Sequence, residues 1–334
     1  MSGPVRFGIL GGANIARQFA AGCAASDSVR IAAIASRSQS RADAMAAELG
    51  IPRALGSYEA LLADPDIDVI YLPLPNSLHA EWAIKAIEAG KHVLCEKPLA
   101  MNATEVRTMF AAAARKEVIL REGYPYMAQQ QTIMMRALLR EGAIGEPRVI
   151  RSTFSVTFKD PANIRLSPTL GGGALYDAGS YAISLIRIAA GRRPLRVQAT
   201  AQYDDNGVDI TTVANIEFSG GLLAQMSCSF GAAYLRSATI SGEAGIIETN
   251  YLNHPPLGGP AVLQVRRGIP MTTPFTPLSV PDGNGFRLEA ESFAALVTGD
   301  EEWTGATPEE SLDIALTIDA VRASAPTGQW CAVG

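Results

Sequence analysis

Residues 5–16 of this 334-residue chain read VRFGILGGANIA. The run 5–10 is short, apolar and rich in β formers, and a glycine-containing turn separates it from a helical pattern over residues 15–25. A strand followed at once by a glycine turn and a helix is typical of the first unit of a doubly wound α/β sheet. This stretch therefore sets the fold class that we expect for the start of the chain.

The small residues of this turn match a dinucleotide-binding fingerprint. Gly11 permits the tight turn, Ala13 lets a pyrophosphate approach the backbone, and Ala16 allows close helix–strand packing. Asn14 and Ile15 open the helix whose N-terminus would face the phosphates. Alanine at the second position departs from the usual glycine by one methyl group. The pattern is weak alone, and its place between a strand and a helix favours a dinucleotide site.

The same alternation continues through residues 1–122, the first predicted domain. Strand patterns occupy residues 5–10, 29–35, 68–72, 92–95 and 117–121. Helical patterns occupy residues 15–25, 40–49, 78–89 and 104–115. Strands that alternate with helices of about 10–15 residues predict right-handed βαβ units and a parallel, doubly wound Rossmann sheet.

Residues 123–334 form the second predicted domain, because the pattern changes there. Runs rich in β formers follow one another without intervening helices, at residues 148–158, 195–203, 210–218 and 222–230. Helical patterns are found at residues 131–141, 289–297 and 308–323. We expect an α+β domain with a mostly antiparallel open sheet. Its uncovered face is the predicted interface of a homo-oligomer, a dimer or a tetramer.

The end of the second strand indicates which dinucleotide binds. NAD-selective sites place a carboxylate there, on the ribose 2′-hydroxyl. This strand ends instead in Ser36 and Arg37, with Arg41 one helical turn later. Because a guanidinium can pair with a 2′-phosphate, NADP(H) is favoured and NAD(H) remains the alternative. The competing interpretation of Arg37 is an ordinary solvated arginine.

Composition excludes several classes of protein. The 28 basic and 33 acidic residues give a net charge of −5, which argues against nucleic-acid and anionic-membrane partners. No run of 18 apolar residues and no signal-peptide pattern is present, so we expect a cytoplasmic protein. The four cysteines are scattered without metal-ligand spacing, so we expect reduced thiols and no metal site.

Three further motifs lie at predicted strand ends or beyond them. They are Pro75-Asn76-Ser77-Leu78-His79, Glu96-Lys97-Pro98, and the segment 171–181, which reads GGGALYDAGSY. Ligands of doubly wound sheets bind at the carboxyl ends of the strands, so Lys97 is predicted to face the nicotinamide crevice. With the fingerprint, these motifs resemble, in order, those of the glucose-fructose oxidoreductase/inositol dehydrogenase/MocA-like family of NAD(P)-dependent dehydrogenases.

The resemblance implies that Lys97 contacts substrate and nicotinamide, and that Asp177 and Tyr181 face the substrate. Tyrosine at position 181, where many members have histidine, resembles the branch that contains NADP-dependent xylose dehydrogenase, dimeric dihydrodiol dehydrogenase and deoxysugar ketoreductases. Residues 124–131, YPYMAQQQ, lack the His-His-Pro segment of several members. This departure leaves the substrate open.

The residues also suggest the chemistry. Hydride transfer at a secondary alcohol requires a proton to leave or join the oxygen, and an ammonium group near a phenol favours the phenolate. We assign Tyr181 as the proton donor and acceptor and Lys97 as the group that polarises the substrate oxygen. Asp177 lies four residues before Tyr181, so it shares a helical face with Tyr181 and could orient a hydroxyl or Lys97; the alternative is a helix cap. Arg165 could reach a substrate hydroxyl or phosphate.

The predicted function is an NADP(H)-dependent oxidoreductase acting on a sugar, polyol or sugar-like carbonyl. The alternatives are an enzyme for a non-sugar cyclic diol or ketone, and a non-catalytic NADP-binding regulator. Retention of Lys97, Asp177 and Tyr181 argues against the regulator. The predicted cofactor-binding residues are Gly11, Ala13, Asn14, Ile15, Ser36, Arg37, Arg41, Pro75, Asn76, His79 and Glu96.

Overall fold

The computed structural model describes residues 3–253, 259–299 and 303–334. The chain divides into two compact units, each with its own sheet. The first unit comprises Met1–Ala128 and Asn284–Pro308, and the second comprises Gln129–Gly283 and Glu309–Gly334.

The described residues form the following strands and helices. The strands are β1 (Val5–Leu10), β2 (Val29–Ala35), β3 (Ala54–Leu55), β4 (Val69–Leu72), β5 (His92–Glu96), β6 (Leu120–Gly123), β7 (Pro147–Ser155), β8 (Arg196–Tyr203), β9 (Asp209–Glu217), β10 (Leu223–Ser229), β11 (Leu235–Gly242), β12 (Gly245–Thr249), β13 (Leu263–Arg267), β14 (Thr276–Pro277) and β15 (Cys331–Ala332). The α-helices are α1 (Asn14–Cys23), α2 (Gln39–Leu49), α3 (Tyr58–Leu62), α4 (His79–Glu88), α5 (Ala103–Arg115), α6 (Gln130–Arg140), α7 (Ser180–Ala190), α8 (Gly285–Thr298) and α9 (Pro308–Ser324).

The first unit contains a six-stranded sheet in the order β3-β2-β1-β4-β5-β6. All its strand pairs are parallel. This is the strand order of a doubly wound dinucleotide-binding sheet, so the predicted Rossmann fold is confirmed. The order places the carboxyl ends of β1 and β4 side by side, on either side of the point where the chain reverses direction across the sheet. In such sheets the ligand binds at this edge.

Helix α8 belongs to the first unit, although it follows the second unit's sheet in the chain. Its buried residues Phe286, Ala290 and Phe293 join the apolar cluster that contains Phe7 and Phe19. The ring centroids of Phe7 and Phe293 are 6.2 Å apart. The boundaries of the compact units therefore differ from those of the two predicted domains, residues 1–122 and 123–334. The physical reason is that the apolar stripe of α8 is buried against the parallel sheet.

The second unit contains a nine-stranded sheet in the order β14-β13-β12-β11-β7-β10-β9-β8-β15. Its pairs are antiparallel except for β7 and β10, which are parallel. The predicted α+β domain with a mostly antiparallel sheet is therefore confirmed. The turn between β9 and β10 contains Gly220 and Gly221, with φ of 72° and 78°.

One face of this sheet is covered and the other is open. Helix α7 packs against β7 and β10, and Ala224, Met226 and Cys228 of β10 are buried. Alternate residues of the sheet point the other way, because side chains alternate between the faces. On that face Leu223 is 52% exposed and Val213 is 43% exposed. Within the described part of the chain, every helix is too short or too polar to span a membrane.

Candidate functional site

The turn after β1 has the backbone geometry that its glycine predicts. Gly11 has φ of 118°, a conformation that L side chains rarely adopt, and its N–H donates to the Ala35 carbonyl at 3.0 Å. A Cβ atom at Gly11 would lie 2.7 Å from Leu74 Cδ2. The turn is therefore held against the ends of β2 and β4 without room for a side chain.

Helix α1 begins directly after this turn. Its N-cap residue, Ala13, has no side chain that could hydrogen-bond the first N–H groups, and the first turn contains no acidic residue. Uncapped N–H groups and the positive end of the helix dipole favour an anion at this position. The small residues and the helix N-terminus at Asn14 and Ile15 therefore fit the pyrophosphate of a dinucleotide.

Arg37 follows β2, the neighbour of β1 in the sheet. Burial raises the pKa of the Tyr58 phenol, and the nearby Arg37 cation opposes this rise. The Tyr58 hydroxyl lies 3.7 Å from the position that a Gly11 Cβ would occupy. Tyr58 therefore lies near both the Gly11 turn and the cation of the exposed Arg37. Sequence analysis had assigned no role to Tyr58, because its hydroxyl approaches the turn only through tertiary packing.

The Lys97 turn follows β5, and buried partners hold the residues on both sides of the lysine. The Tyr71 hydroxyl donates to Glu96 Oε1 at 2.7 Å. The Leu99 N–H donates to Glu122 Oε1 at 2.9 Å. Glu96 and Glu122 are both buried, which makes each of these bonds costly to break. Lys97 itself is only partly buried, so its ammonium extends from a fixed backbone.

His79 connects this turn to the preceding strand end. Its ring is fully buried, with Nδ1 2.8 Å from the Pro98 carbonyl and Nε2 2.8 Å from the Leu74 carbonyl. Burial lowers the pKa of His79 and the nearby Lys97 ammonium lowers it further, although both carbonyls favour the protonated ring. Because backbone atoms occupy both ring nitrogens, His79 is a structural link rather than a proton relay. Pro75 and Asn76 lie just before it, in the short 3₁₀ turn region that opens α4.

A third carboxyl group lies behind the turn. Glu289 of α8 is fully buried, and a Cβ atom at Gly123 would lie 3.5 Å from its Oε2. Burial raises the pKa of Glu289 well above its ordinary value, and the nearby Glu96 and Glu122 raise it further. Both effects favour the protonated form of Glu289. The sequence had given no signal for it beyond a polar residue on an otherwise apolar helix face.

In the second unit, residues Leu175–Gly179 form a π-helical turn that leads into α7. The sequence had predicted an ordinary helical turn here; π turns are rare and often lie at functional sites. Asp177 lies inside this turn, so it is not the helix cap. Its Oδ2 accepts a hydrogen bond from Arg165 Nε at 2.7 Å. The structure therefore joins these two predicted substrate-binding residues in one ion pair.

Asp209, at the start of β9, holds the beginning of this helix. Its Oδ2 accepts from the Leu175 N–H at 2.7 Å and from Thr212 Oγ1 at 3.0 Å. Gly173 has φ of 128°, and a Cβ there would overlap Asp209 Oδ1. Burial raises the pKa of Asp209 to about 6. The glycine of the motif is therefore required by a carboxylate that sequence analysis did not identify.

This raised pKa predicts a pH-dependent stability. Because the folded protein holds the proton of Asp209 more tightly than the unfolded chain does, its contribution is complete below the ordinary pKa of 3.8 and is lost as pH rises through about 6. Relative to Asp209→Asn, the wild type should lose on the order of 2 kcal/mol of unfolding free energy between about pH 4 and pH 7. Urea unfolding across this range measures it, with Asp205→Asn as the exposed control. Parallel pH curves for wild type and Asp209→Asn would contradict the assignment.

Tyr181 lies one residue into α7 and is 6% exposed. Its hydroxyl oxygen accepts a hydrogen bond from Asn253 Nδ2 at 3.1 Å. The guanidinium carbon of Arg236 lies 4.3 Å from the centre of its ring, and the edge of Phe154 packs against it. Neither Asn253 nor Arg236 belongs to a motif near Tyr181 in the sequence, so sequence analysis had not identified them.

Two domain models match the chain. Residues 5–124 match the oxidoreductase family GFO_IDH_MocA, NAD-binding Rossmann fold, and residues 132–248 match the GFO/IDH/MocA C-terminal domain. Curated relatives above 30% identity extend over nearly the whole chain. The chain belongs to the Gfo/Idh/MocA oxidoreductase family. The family predicted from the fingerprint, the EKP turn and the glycine-rich segment is confirmed, and the chain is an enzyme of the dehydrogenase and reductase class.

Among the relatives of this Gfo/Idh/MocA member are proteins named as sugar enzymes and others named as trans-1,2-dihydrobenzene-1,2-diol dehydrogenase. One is D-xylose 1-dehydrogenase (NADP(+)) 2 from Haloferax volcanii, 38% identical over 329 residues, which cover 96% of this chain and 98% of the relative. A 3-ketoreductase from Actinomadura kijaniata, solved with TDP-benzene and NADP, superposes with a TM-score of 0.84 at 31% identity, over 96% of this chain and 98% of that one. The aldose-aldose oxidoreductase from Caulobacter crescentus, solved with glycerol, superposes with a TM-score of 0.89 at 26% identity, over 98% of this chain and 99% of that one.

Proposed function

We propose that this protein is an NADP(H)-dependent oxidoreductase that interconverts a hydroxyl and a carbonyl group on a sugar, a polyol or a sugar-like ring. The observation that carries the proposal is the Lys97 turn. Its neighbours Glu96 and Leu99 are each held by a buried hydrogen bond, at the sheet edge where such folds bind their cofactor. A cation carried on that held backbone can polarise a substrate oxygen. The named activities of the xylose dehydrogenase and the 3-ketoreductase support the same reaction class.

The first unit supplies the residues that would hold NADP(H). The Gly11 turn and the N-terminus of α1 at Ala13 would bind the pyrophosphate, and Ser36, Arg37 and Arg41 would surround the 2′-phosphate. The predicted residues Pro75, Asn76, His79 and Glu96 support the nicotinamide end of the site. When bound, the nicotinamide supplies or accepts the hydride.

The groups for the substrate are Lys97 of the first unit and Tyr181, Arg165 and Asp177 of the second. Tyr181 gives its proton to the carbonyl oxygen during reduction and takes it back from the alcohol during oxidation. Lys97 stabilises the negative charge that develops on that oxygen. The Arg165–Asp177 pair presents a donor and an acceptor together, which suits the adjacent hydroxyls of a sugar.

The cofactor preference rests on Arg37. Arg37→Ala should weaken NADPH binding by about 1.5–3 kcal/mol, because a charge-assisted bond to the 2′-phosphate is lost, and should leave NADH binding unchanged. Fluorescence titration with both cofactors measures this, with Arg30→Ala, an exposed arginine of β2, as the control. An equal loss for NADPH and NADH would remove Arg37 from the 2′-phosphate site.

The activity itself is tested with a substrate panel. Aldoses, polyols, keto sugars and cyclic non-sugar diols are offered with NADP⁺ or NADPH, and the absorbance of NADPH is followed. We expect turnover with at least one sugar-like compound. Turnover only with a non-sugar diol or ketone would favour that alternative. Tight NADPH binding without turnover of any compound would favour the non-catalytic regulator.

We also propose that the protein is a cytoplasmic homo-oligomer, a dimer or tetramer, that associates through the open face of the second sheet. Exposed Val213 and Leu223 on that face support this interface. The four cysteines are free thiols, as expected in a reducing compartment. Sedimentation at micromolar concentration should show an oligomer that Leu223→Arg dissociates. A wild-type monomer under these conditions would overturn the oligomer.

A further inference from the structure

Asn253 and Arg236 surround the phenol of Tyr181 with donors and positive charge. Asn253 bridges the other two: its Nδ2 lies 3.1 Å from Tyr181 Oη, and its Oδ1 lies 3.2 Å from Arg236 Nη2. The Arg236 guanidinium also lies 4.3 Å above the Tyr181 ring. We propose that Asn253 and Arg236 form a relay that stabilises the phenolate of Tyr181, with Asn253 as a catalytic residue and Arg236 as its positioning residue. The inference rests on the proposed function of Tyr181 as proton donor.

The chemistry of arginine fixes the orientation of the Asn253 amide. A guanidinium has donors only, so the amide oxygen must face Arg236 and the amide nitrogen must face Tyr181. The phenol oxygen is therefore the acceptor in its contact with Asn253, and this contact does not use the phenol's own proton. A donor aimed at that oxygen binds the phenolate more strongly than the neutral phenol.

The surrounding structure fixes both members of the relay. Gln129 is almost fully buried, and its amide group donates to the Asn253 carbonyl at 2.6 Å and to the Gly283 carbonyl at 2.8 Å. These two hydrogen bonds link the segments of Asn253 and Gly283 and hold the backbone of Asn253. The amide therefore meets the phenol without having to be ordered at the moment of reaction.

Arg236 is held by aromatic rings. It is 6% exposed, and its guanidinium carbon lies 4.8 Å from the centre of the Phe154 ring and 4.6 Å from that of Tyr251. Tyr251 is fully buried and has φ of 32°, an uncommon conformation for a bulky residue, and its hydroxyl bonds the Thr153 carbonyl at 3.0 Å. Strained backbone of this kind persists where the surrounding structure enforces it, often at functional sites.

The proton balance of the step is simple. During reduction the O–H bond of Tyr181 breaks and a new O–H bond forms on the substrate oxygen, while the carbon receives the hydride. The phenolate that remains carries the negative charge, and water returns the proton afterwards. Within this unit, Arg236 of β11 lies over the Tyr181 ring, and the Tyr251 ring packs on the same guanidinium. Asp177 lies four residues before Tyr181, and its carboxylate is paired with Arg165. The positive charge of Arg236 favours the phenolate.

Ionisation of Tyr181 is measured without substrate by NMR of protein labelled at the tyrosine Cζ carbon. The Tyr181→Phe variant identifies the resonance among the nine tyrosines. Asn253→Asp keeps the shape and the acceptor for Arg236 but replaces the donor with a carboxylate. In that variant and in Arg236→Met, we expect Tyr181 to ionise about one pH unit higher or more. Arg266→Met, which removes an arginine packed on Phe275 in the same sheet, should leave the titration unchanged.

Kinetics provide the second measurement. In the oxidation direction, kcat at saturating NADP⁺ should fall roughly 10- to 100-fold in Asn253→Asp, with little change in KM. The limb of the pH profile where kcat rises as Tyr181 ionises should move with the NMR titration. Arg236→Lys, which keeps the cation, should recover part of the loss seen in Arg236→Met. A lower rate with an unchanged ionisation of Tyr181 would overturn the relay and leave both residues a packing role only.

The two proposals fail in different ways. If Tyr181→Phe turned over at the wild-type rate, Tyr181 would not be the proton donor, and the proposed function would need another acid. If Tyr181→Phe were inactive while Asn253→Asp and Arg236→Met kept the wild-type titration and pH profile, the relay alone would be overturned. Should Arg236→Met not fold, the shape-matched Asn253→Asp variant still tests the donor to the phenol.

Discussion

Tyr181→Phe should lower kcat by about 10²–10⁴-fold, because the variant lacks the proton that the substrate oxygen must gain or lose. Binding of NADPH should remain at the wild-type level, since Tyr181 belongs to the second unit and the predicted cofactor residues belong to the first. The fold should persist, because the phenyl ring still packs against Phe154 and beneath Arg236. Steady-state rates at saturating NADPH, with the substrate identified by the panel, measure the loss.

Tyr203→Phe is the matched control. Tyr203 lies in β8 and is 50% exposed, so its hydroxyl should not affect turnover. A rate for Tyr181→Phe within a few-fold of that control would assign proton transfer to another group. His79 would then be a poor substitute, because backbone carbonyls contact both of its ring nitrogens.

Lys97→Ala should lower kcat/KM by at least as much as Tyr181→Phe. In the proposed mechanism, it removes the charge that polarises the substrate oxygen and that favours the phenolate. The turn itself should survive, because Glu96 and Leu99 keep their buried hydrogen bonds on either side of the lysine. Thermal unfolding of the variant should therefore match that of Lys85→Ala, an exposed lysine of α4.

The Lys97→Ala/Tyr181→Phe double variant separates joint from independent action. When two groups act on one oxygen as a unit, removing both lowers the rate much less than the product of the two single-variant losses. We expect the rate of the double variant to be close to that of the less active single variant. Losses that multiply would show that the two residues act in different steps.

Much of the first unit could be predicted from the sequence, because its signals are local. The strand over residues 5–10 and the strand over residues 29–35 are present with the predicted bounds. The helix that follows each of these strands begins a few residues later in the chain. Hydrophobic periodicity and one glycine were therefore sufficient to predict these elements. The strands of the second sheet were less visible. Those from Leu235 to Arg267 were not predicted, since short segments such as Gly245–Thr249 gain their stability from cross-strand partners.

The residues of the candidate site also divide into those that a sequence motif indicates and those that it does not. Motif residues such as Lys97 and Tyr181 were predicted as site residues because a family places them at fixed positions in a recognisable order. The side chains that hold them were missed, because their partners are far away in the sequence. Asp209 is 34 residues from Leu175, and Asn253 is 72 residues from Tyr181. Local periodicity and composition cannot predict a hydrogen bond between residues so far apart in the sequence.

The sequence by itself therefore determined the Rossmann unit and the turn after β1, and the family resemblance pointed to the lysine and the tyrosine. The elements of the Rossmann unit depend on backbone conformation and on the alternation of apolar residues over a few turns, which are properties of contiguous chain. Only the tertiary structure decided that α8 completes the first unit, that Asp177 pairs with Arg165, and that Asn253 donates to Tyr181. Each of these depends on burying an apolar face or on satisfying a polar group, and the partner is chosen by the packed core rather than by neighbours in the chain.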